Sequence, residues 1–194
     1  MRVSLAVAFA PLVLTPCVLG QVPRHRFDTE DLAPYLPTPQ TVVDKMLEAA
    51  HLKSDELLYD LGCGDGRVVI TAAQRFGARA VGVEIKENIF HATQKRVAAL
   101  GIESRVQIVL GNALDIDLSP ADVVTLFLLT RSNERLRPNF EKYLKPGARV
   151  VSYAFEIPGW SATRMESVQL DKTLHKIYVY EIQPKKAAKP AAKK

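Results

Sequence analysis

The sequence predicts an α/β protein in which a mostly parallel sheet lies between two helical layers and an antiparallel hairpin closes one edge. Three observations carry this. From Gln40 onward, short apolar runs alternate with stretches of helical period. Glycines and prolines stand where one period gives way to the other, at Gly77, Gly101 and Pro146-Gly147. The last two runs, residues 167–170 and 176–182, alternate apolar and polar side chains instead, the pattern of strands with one solvated face.

Each element has its own justification. Thr38-Pro39 predicts a helix start, with threonine as N-cap and proline at the first helical position. Val42, Val43, Met46, Leu47 and Ala50 then share one face at three-to-four spacing. Leu57–Leu61 reads as a short buried strand, and Arg67–Phe76 as a helix stopped by Gly77 in the left-handed conformation. Residues 80–84 form a second strand and 88–100 a second core helix, ended by Gly101. Val106–Leu110 is a third strand and residues 121–129 a long apolar fourth. Residues 133–144 read as helical, with Pro138 expected to kink or end the helix. Lys145-Pro146-Gly147 makes a turn into a fifth strand over 149–155, and Asp171-Lys172-Thr173 connects the hairpin. Buried apolar strands separated by amphipathic helices are what a parallel sheet with helices on both faces requires.

At 194 residues, 47% hydrophobic and 24% charged, the chain suits one domain with a sizeable core and excludes a collagen, a disulfide scaffold or a wholly disordered protein. The formal charge of +5 belongs to the ends. Six of the 26 basic residues, Arg2 and five lysines of the last ten positions, lie there without a single acid, so residues 21–184 hold 20 basic against 21 acidic side chains. No basic footprint for nucleic acid results. Residues 1–20, with Arg2 before an apolar run over 3–19, read as a signal peptide or membrane anchor, which implies export or membrane attachment. Residues 21–38 form an arm, 39–184 the folded domain, and 185–194 a Lys/Ala/Pro tail expected to be disordered and suited to an anionic membrane surface. Cleavage after Gly20 would leave Cys63 alone, without a disulfide partner.

The sharpest local signal is Tyr59-Asp60-Leu61-Gly62-Cys63-Gly64-Asp65-Gly66, between a strand and a helix. Ligands of open α/β sheets bind beyond the carboxyl ends of strands, where glycines permit a tight turn and close approach of the backbone. The next helix offers free N–H groups to an anionic group. Glu84, 18 residues after Gly66 at the end of the second strand, can accept hydrogen bonds from two ribose hydroxyls. The Gly-x-Gly-x-Gly spacing is tighter than the Gly-x-Gly-x-x-Gly of dinucleotide sites. With Asp60 ahead of it, the loop resembles the first motif of class I S-adenosylmethionine-dependent methyltransferases. That resemblance implies S-adenosyl-L-methionine as cofactor. It assigns Asp60, Gly62, Cys63, Gly64, Gly66, Glu84, Ile85, Asn112 and Ala113 to its binding, with Asn112 at the adenine amino group. Asp115 and Asp117 read as solvated loop carboxylates, and the four histidines have no metal-ligand spacing.

Further segments narrow the acceptor. Pro34-Tyr35-Leu36-Pro37-Thr38-Pro39, Gly82-Val-Glu84-Ile85, the run from Phe127 to Glu134, Leu144-Lys-Pro-Gly147 and the run from Ser152 to Trp160 are together similar to the archaeal broad-specificity protein lysine methyltransferases. They also resemble the mitochondrial enzymes that methylate lysines of the adenine nucleotide translocase and of the membrane-ring protein of ATP synthase. The resemblance covers Pro34 to Trp160. It implies a Rossmann-like seven-stranded sheet and a protein substrate methylated on lysine, including membrane proteins. The Asn/Asp-Pro-Pro-aromatic motif common among enzymes acting on amides and nucleobase amines is missing after the fourth strand, which reads Thr130-Arg131-Ser132-Asn133. Tyr35, Thr130 and Asn133 are the candidates to line the acceptor channel, and Phe155 and Trp160 read as packing. A small-molecule methyltransferase and a non-catalytic cofactor-binding module are the competing readings.

Overall fold

The computed structural model describes residues 32–184. The predicted signal or anchor segment, most of the arm and the lysine-rich tail lie outside the described residues.

Seven strands form one sheet in the order β3-β2-β1-β4-β5-β7-β6. The parallel part comprises β1 (Leu57–Leu61), β2 (Arg79–Glu84), β3 (Val106–Leu110), β4 (Val123–Leu126) and β5 (Arg149–Tyr153). The antiparallel part is β6 (Arg164–Leu170) and β7 (Thr173–Glu181), with β7 paired to β5. The predicted three-layer architecture is therefore present. One face is covered by α1 (Gln40–Ala49), α2 (Arg67–Phe76) and α3 (Glu87–Ala99), whose Val42, Met46, Val69 and Val97 pack on Leu58, Val123 and Val151. The other is covered by α4 (Thr130–Tyr143), whose Leu136 and Phe140 pack on Leu126 and Val150.

Several boundaries depart from the sequence reading. Thr38 does not cap α1: Pro39 holds the cap position without a side-chain bond, and the Thr38 carbonyl accepts a 2.5 Å hydrogen bond from Arg67 instead. β4 occupies only Val123–Leu126 of the apolar run; Phe127 and Leu128 lie beyond the strand pairing and line the cleft at the sheet end. α4 then begins at Thr130, three residues earlier than predicted, and runs through Pro138. The buried Leu136 and Phe140 on one side of it supply the packing that outweighs the missing amide. The hairpin is longer than predicted and its loop shorter. Leu170 pairs with Thr173, leaving Asp171 and Lys172, with Asp171 at φ +50°.

Charged groups tie together the amino ends of the parallel strands. The Arg149 guanidinium clamps Glu56 with two bonds of 2.8 and 2.7 Å, and its Nε donates to the Ala50 carbonyl. Asp122 accepts the Leu57 amide at 2.8 Å and pairs with Lys145 at 2.6 Å.

Candidate active site

At the opposite, carboxyl end of the sheet lies a cleft lined by the ends of β1, β2 and β4 and by the loops that follow β1, β2, β3 and β4. Its floor is the loop after β1, between β1 and β4 where the strand order reverses. Asp60, Gly62, Cys63, Gly64, Glu84, Ile85, Asn112 and Ala113 all line it. These eight predicted cofactor residues thus come together from the ends of three adjacent strands.

The ninth does not. Gly66 is not in the wall; at φ +76°, it starts α2 and lets α3 approach, since a Cβ there would lie 2.7 Å from Thr93 Cγ2. Gly64, at φ +53°, serves the cleft itself: a Cβ would lie 2.7 Å from the Tyr35 ring. Its amide donates to Glu84 Oε2 at 3.0 Å, and the Lys86 amide donates to Oε1 at 2.9 Å. The Glu84 carboxylate is thereby fixed from both sides, and each oxygen keeps a lone pair toward the cleft. Asn112 is already engaged, its Oδ1 accepting the Leu114 amide at 3.0 Å to cap the one-turn 3₁₀ helix Ala113–Asp115.

Asp60 is buried, and Thr125 donates to its Oδ1 at 2.7 Å. Burial raises its carboxyl, the Thr125 bond offsets part of that, and the charges of Glu84 and Asp65 add to it, leaving a pKa of about 7. Such a group is stabilised by a cation brought beside it. Asp65, by contrast, is held below the usual carboxylate range by the Arg67 guanidinium. Burial pushes the Cys63 thiol well up, so it packs as an inert side chain.

Over the cleft runs the segment from Leu32 to Thr38, all of which lines it. Ser132 donates to the Leu32 carbonyl at one end, and Arg67 to Thr38 at the other. These two clips had no signal in local sequence, because each joins residues far apart in the chain. Tyr35, the predicted acceptor-channel residue, lies in this segment, 48% exposed with its ring on Gly64.

The other two acceptor candidates are corrected. Thr130 is exposed as the first residue of α4 and does not line the cleft. Asn133 is fully buried, its amide nitrogen 3.2 Å from Ser152 Oγ and from the carbonyls of Phe155 and Glu156. It holds the turn after β5, in which Ala154 adopts φ +65°. For a residue with a Cβ that conformation costs about 1–2 kcal/mol. The starting point of α4 explains both corrections: with helix from Thr130, Asn133 falls one turn in, facing the sheet.

A Rossmann-like sheet of this order, with an acidic strand end and a glycine loop at the switch point, defines a nucleoside-cofactor-dependent transferase fold. The groups present fit S-adenosylmethionine: Glu84 for ribose hydroxyls, residues 112–113 for a purine edge, and buried Asp60 for the cationic amino-acid end.

Comparison with known proteins makes the class particular. The family model for the ANTKMT methyltransferase domain matches residues 60–164. A protein-lysine N-methyltransferase of Saccharolobus islandicus (strain REY15A) is 48% identical over 150 residues, covering 77% of this chain and 93% of that one. A Homo sapiens lysine N-methyltransferase named for the C-type subunit of ATP synthase is 24% identical over 138 residues, covering 71% of this chain and 58% of that one. A solved structure of an RNA methyltransferase from Salinibacter ruber, in complex with S-adenosyl-L-homocysteine, is 39% identical with a TM-score of 0.72, covering 79% of this chain and 98% of that one. The chain belongs to the ANTKMT methyltransferase-domain family and is an S-adenosylmethionine-dependent methyltransferase.

Proposed function

We propose that this enzyme transfers methyl groups to lysine ε-amines of protein substrates. The observation that carries the reading is the 48% identity across 93% of the archaeal protein-lysine N-methyltransferase. The chemistry at the cleft agrees with it. When bound, the cofactor supplies a methyl carbon already activated on sulfonium; the amine lone pair attacks it as the carbon–sulfur bond breaks, and that electron pair stays on sulfur. The protein's task is to place the amine in line and about 3–3.5 Å away. A lysine with a pKa near 10.4 must first release a proton to water, at roughly 4–5 kcal/mol at pH 7. An apolar wall lowers that cost by disfavouring the ammonium. Leu126, Phe127 and Leu128 supply such a wall on the β4 side of the cleft.

Methyl transfer from isotopically labelled S-adenosylmethionine by the purified chain, incubated with separate protein, RNA and small-molecule fractions, tests the reading. Label mapped to lysine by mass spectrometry is the expected result. Label confined to RNA or to small molecules overturns it. As part of the same proposal, residues 1–20 bring the enzyme to a membrane and to membrane-protein substrates; among the described residues no helix is long and apolar enough to cross one. Recovery of the full chain from cells wholly in the soluble fraction would refute that part.

A further inference from the structure

We infer that the aromatic row at the ends of β4 and β5, Phe127 and Phe155 backed by Tyr153 and His175, is the channel for the acceptor side chain and takes a long alkyl chain ending in an amine. The inference rests on the lysine reading above and names the surface that would recognise that side chain.

The strand order supplies the first argument. Groups suited to adenine and ribose stand at the ends of β3 and β2, and those suited to the cationic end at β1. The same line across the sheet continues to β4, β5 and β7. Phe127, which lines the cleft just beyond β4, therefore stands beside the reactive end of the cofactor site. Its ring centroid lies 4.3 Å from that of Tyr153 at the end of β5 and 6.3 Å from that of Phe155, with an interplanar angle of 21° to the latter. The Tyr153 hydroxyl meets His175 Nδ1 on β7, and the two rings stack at 5.7 Å. A chain of ring contacts thus runs from Phe127 in the cleft wall through the buried Tyr153 to His175, with Phe155 beside Phe127.

The second argument is how firmly Phe155 is held. It is only half-buried, so its packing alone explains little of the machinery around it. Its carbonyl accepts from both Ser152 Oγ, at 2.5 Å, and Asn133 Nδ2, at 3.2 Å, while Ala154 beside it keeps a left-handed backbone. Asn133 achieves this with its own Oδ1 buried and without a protein hydrogen-bond partner. A strained residue and an incompletely satisfied amide, both fixing the backbone that carries this half-buried ring, mark a functional position. Aromatic faces suit this acceptor twice over, packing against a methylene stem and attracting its cationic head. Phe127 and Phe155 are the contact residues; Asn133, Tyr153 and His175 position them.

The test uses the full chain saturated with S-adenosyl-L-homocysteine and a fluorescent lysine-containing peptide from a mapped substrate. Phe155→Ala is expected to weaken peptide binding by about tenfold and raise the peptide KM similarly, with affinity for S-adenosyl-L-homocysteine and Tm unchanged. Phe155→Tyr is expected to restore most of the loss. Asn133→Ser should raise the peptide KM more than it lowers kcat, as a positioning role requires. Lysine labelling by the wild type with unchanged peptide affinity in Phe155→Ala overturns this inference alone. RNA labelling that Phe155→Ala abolishes overturns it in favour of base stacking. A wild type that labels no lysine overturns the parent reading, and this one with it.

Discussion

The two ends of the parallel strands treat their carboxylates in opposite ways. At the amino end, burial pushes Glu56 and Asp122 upward, but Arg149, Lys145 and neighbouring amides more than compensate, and both end below the usual carboxylate range. At the carboxyl end, Asp60 is buried beside two other acids with a single hydroxyl donor, and its pKa rises to about 7. One end is electrostatically complete as it stands. The other is complete only with a cation beside it. The same sheet thus separates an end that stabilises the fold from an end that carries function, and stability is given up where the ligand will supply the missing charge.

The comparison is broken most severely by removing one partner from the clamp. Glu56→Ala removes both carboxylate bonds from the half-buried Arg149 and should cost about 2–4 kcal/mol of unfolding free energy, with cofactor affinity intact. Denaturant titration and calorimetric binding read the two quantities separately; a loss of cofactor affinity with no change in stability would contradict the division between the ends.

The converse substitution is Glu84→Ala. It removes the acceptor held by the Gly64 and Lys86 amides, and should weaken cofactor binding by about 2–4 kcal/mol, a loss that unchanged affinity by calorimetry would disprove.

Asp60→Asn sharpens the contrast through its sign. The native carboxyl keeps its proton up to about pH 7 whereas the unfolded one releases it near pH 4, so Asp60 lowers stability progressively as pH rises between those values. The asparagine variant should therefore be more stable than wild type at pH 8 by about 2–4 kcal/mol, an advantage that fades toward pH 4. Glu56 and Asp122 act the other way, contributing stability that is full above pH 4–5 and lost as pH falls through their lowered native values. Tm profiles across pH 3–8 would show the two trends; a variant no more stable than wild type at pH 8 removes the argument for Asp60. The smallest effect belongs to Thr130→Ala, an exposed position outside the cleft, which should leave both Tm and methyl transfer within about 0.5 kcal/mol of wild type.

What was legible in the sequence was local. The alternation of periods specified the strands and helices, and the glycine loop with Glu84 pointed to the cleft at the carboxyl end of the sheet, because each signal is written within one βα unit. The resemblance from Pro34 to Trp160 reached the family for the same reason: its motifs are contiguous. The misread boundaries lie where neighbours in space overrule local pattern. The largely apolar run from Ala121 extends to Leu129, yet only four of its residues, Val123–Leu126, form the strand. Pro138, a helix breaker by propensity, sits inside a helix because Leu136 and Phe140 bury beside it.

The sequence by itself therefore determined the architecture, the cofactor loop and its acidic partner, since hydrophobic period, glycine conformation and strand-end placement act over a few residues. Only the tertiary structure decided which side chains line the cleft. Asn133 turned out to hold a loop and Phe155 to stack near Phe127, while Gly66 left the wall to let α3 pack. Tyr35 reached Gly64 through a segment clipped by Ser132 and Arg67. The physical reason is the same in each case. A side chain's partner across the fold depends on where a helix starts and which strand lies next to which, and neither is encoded within reach of the residue itself.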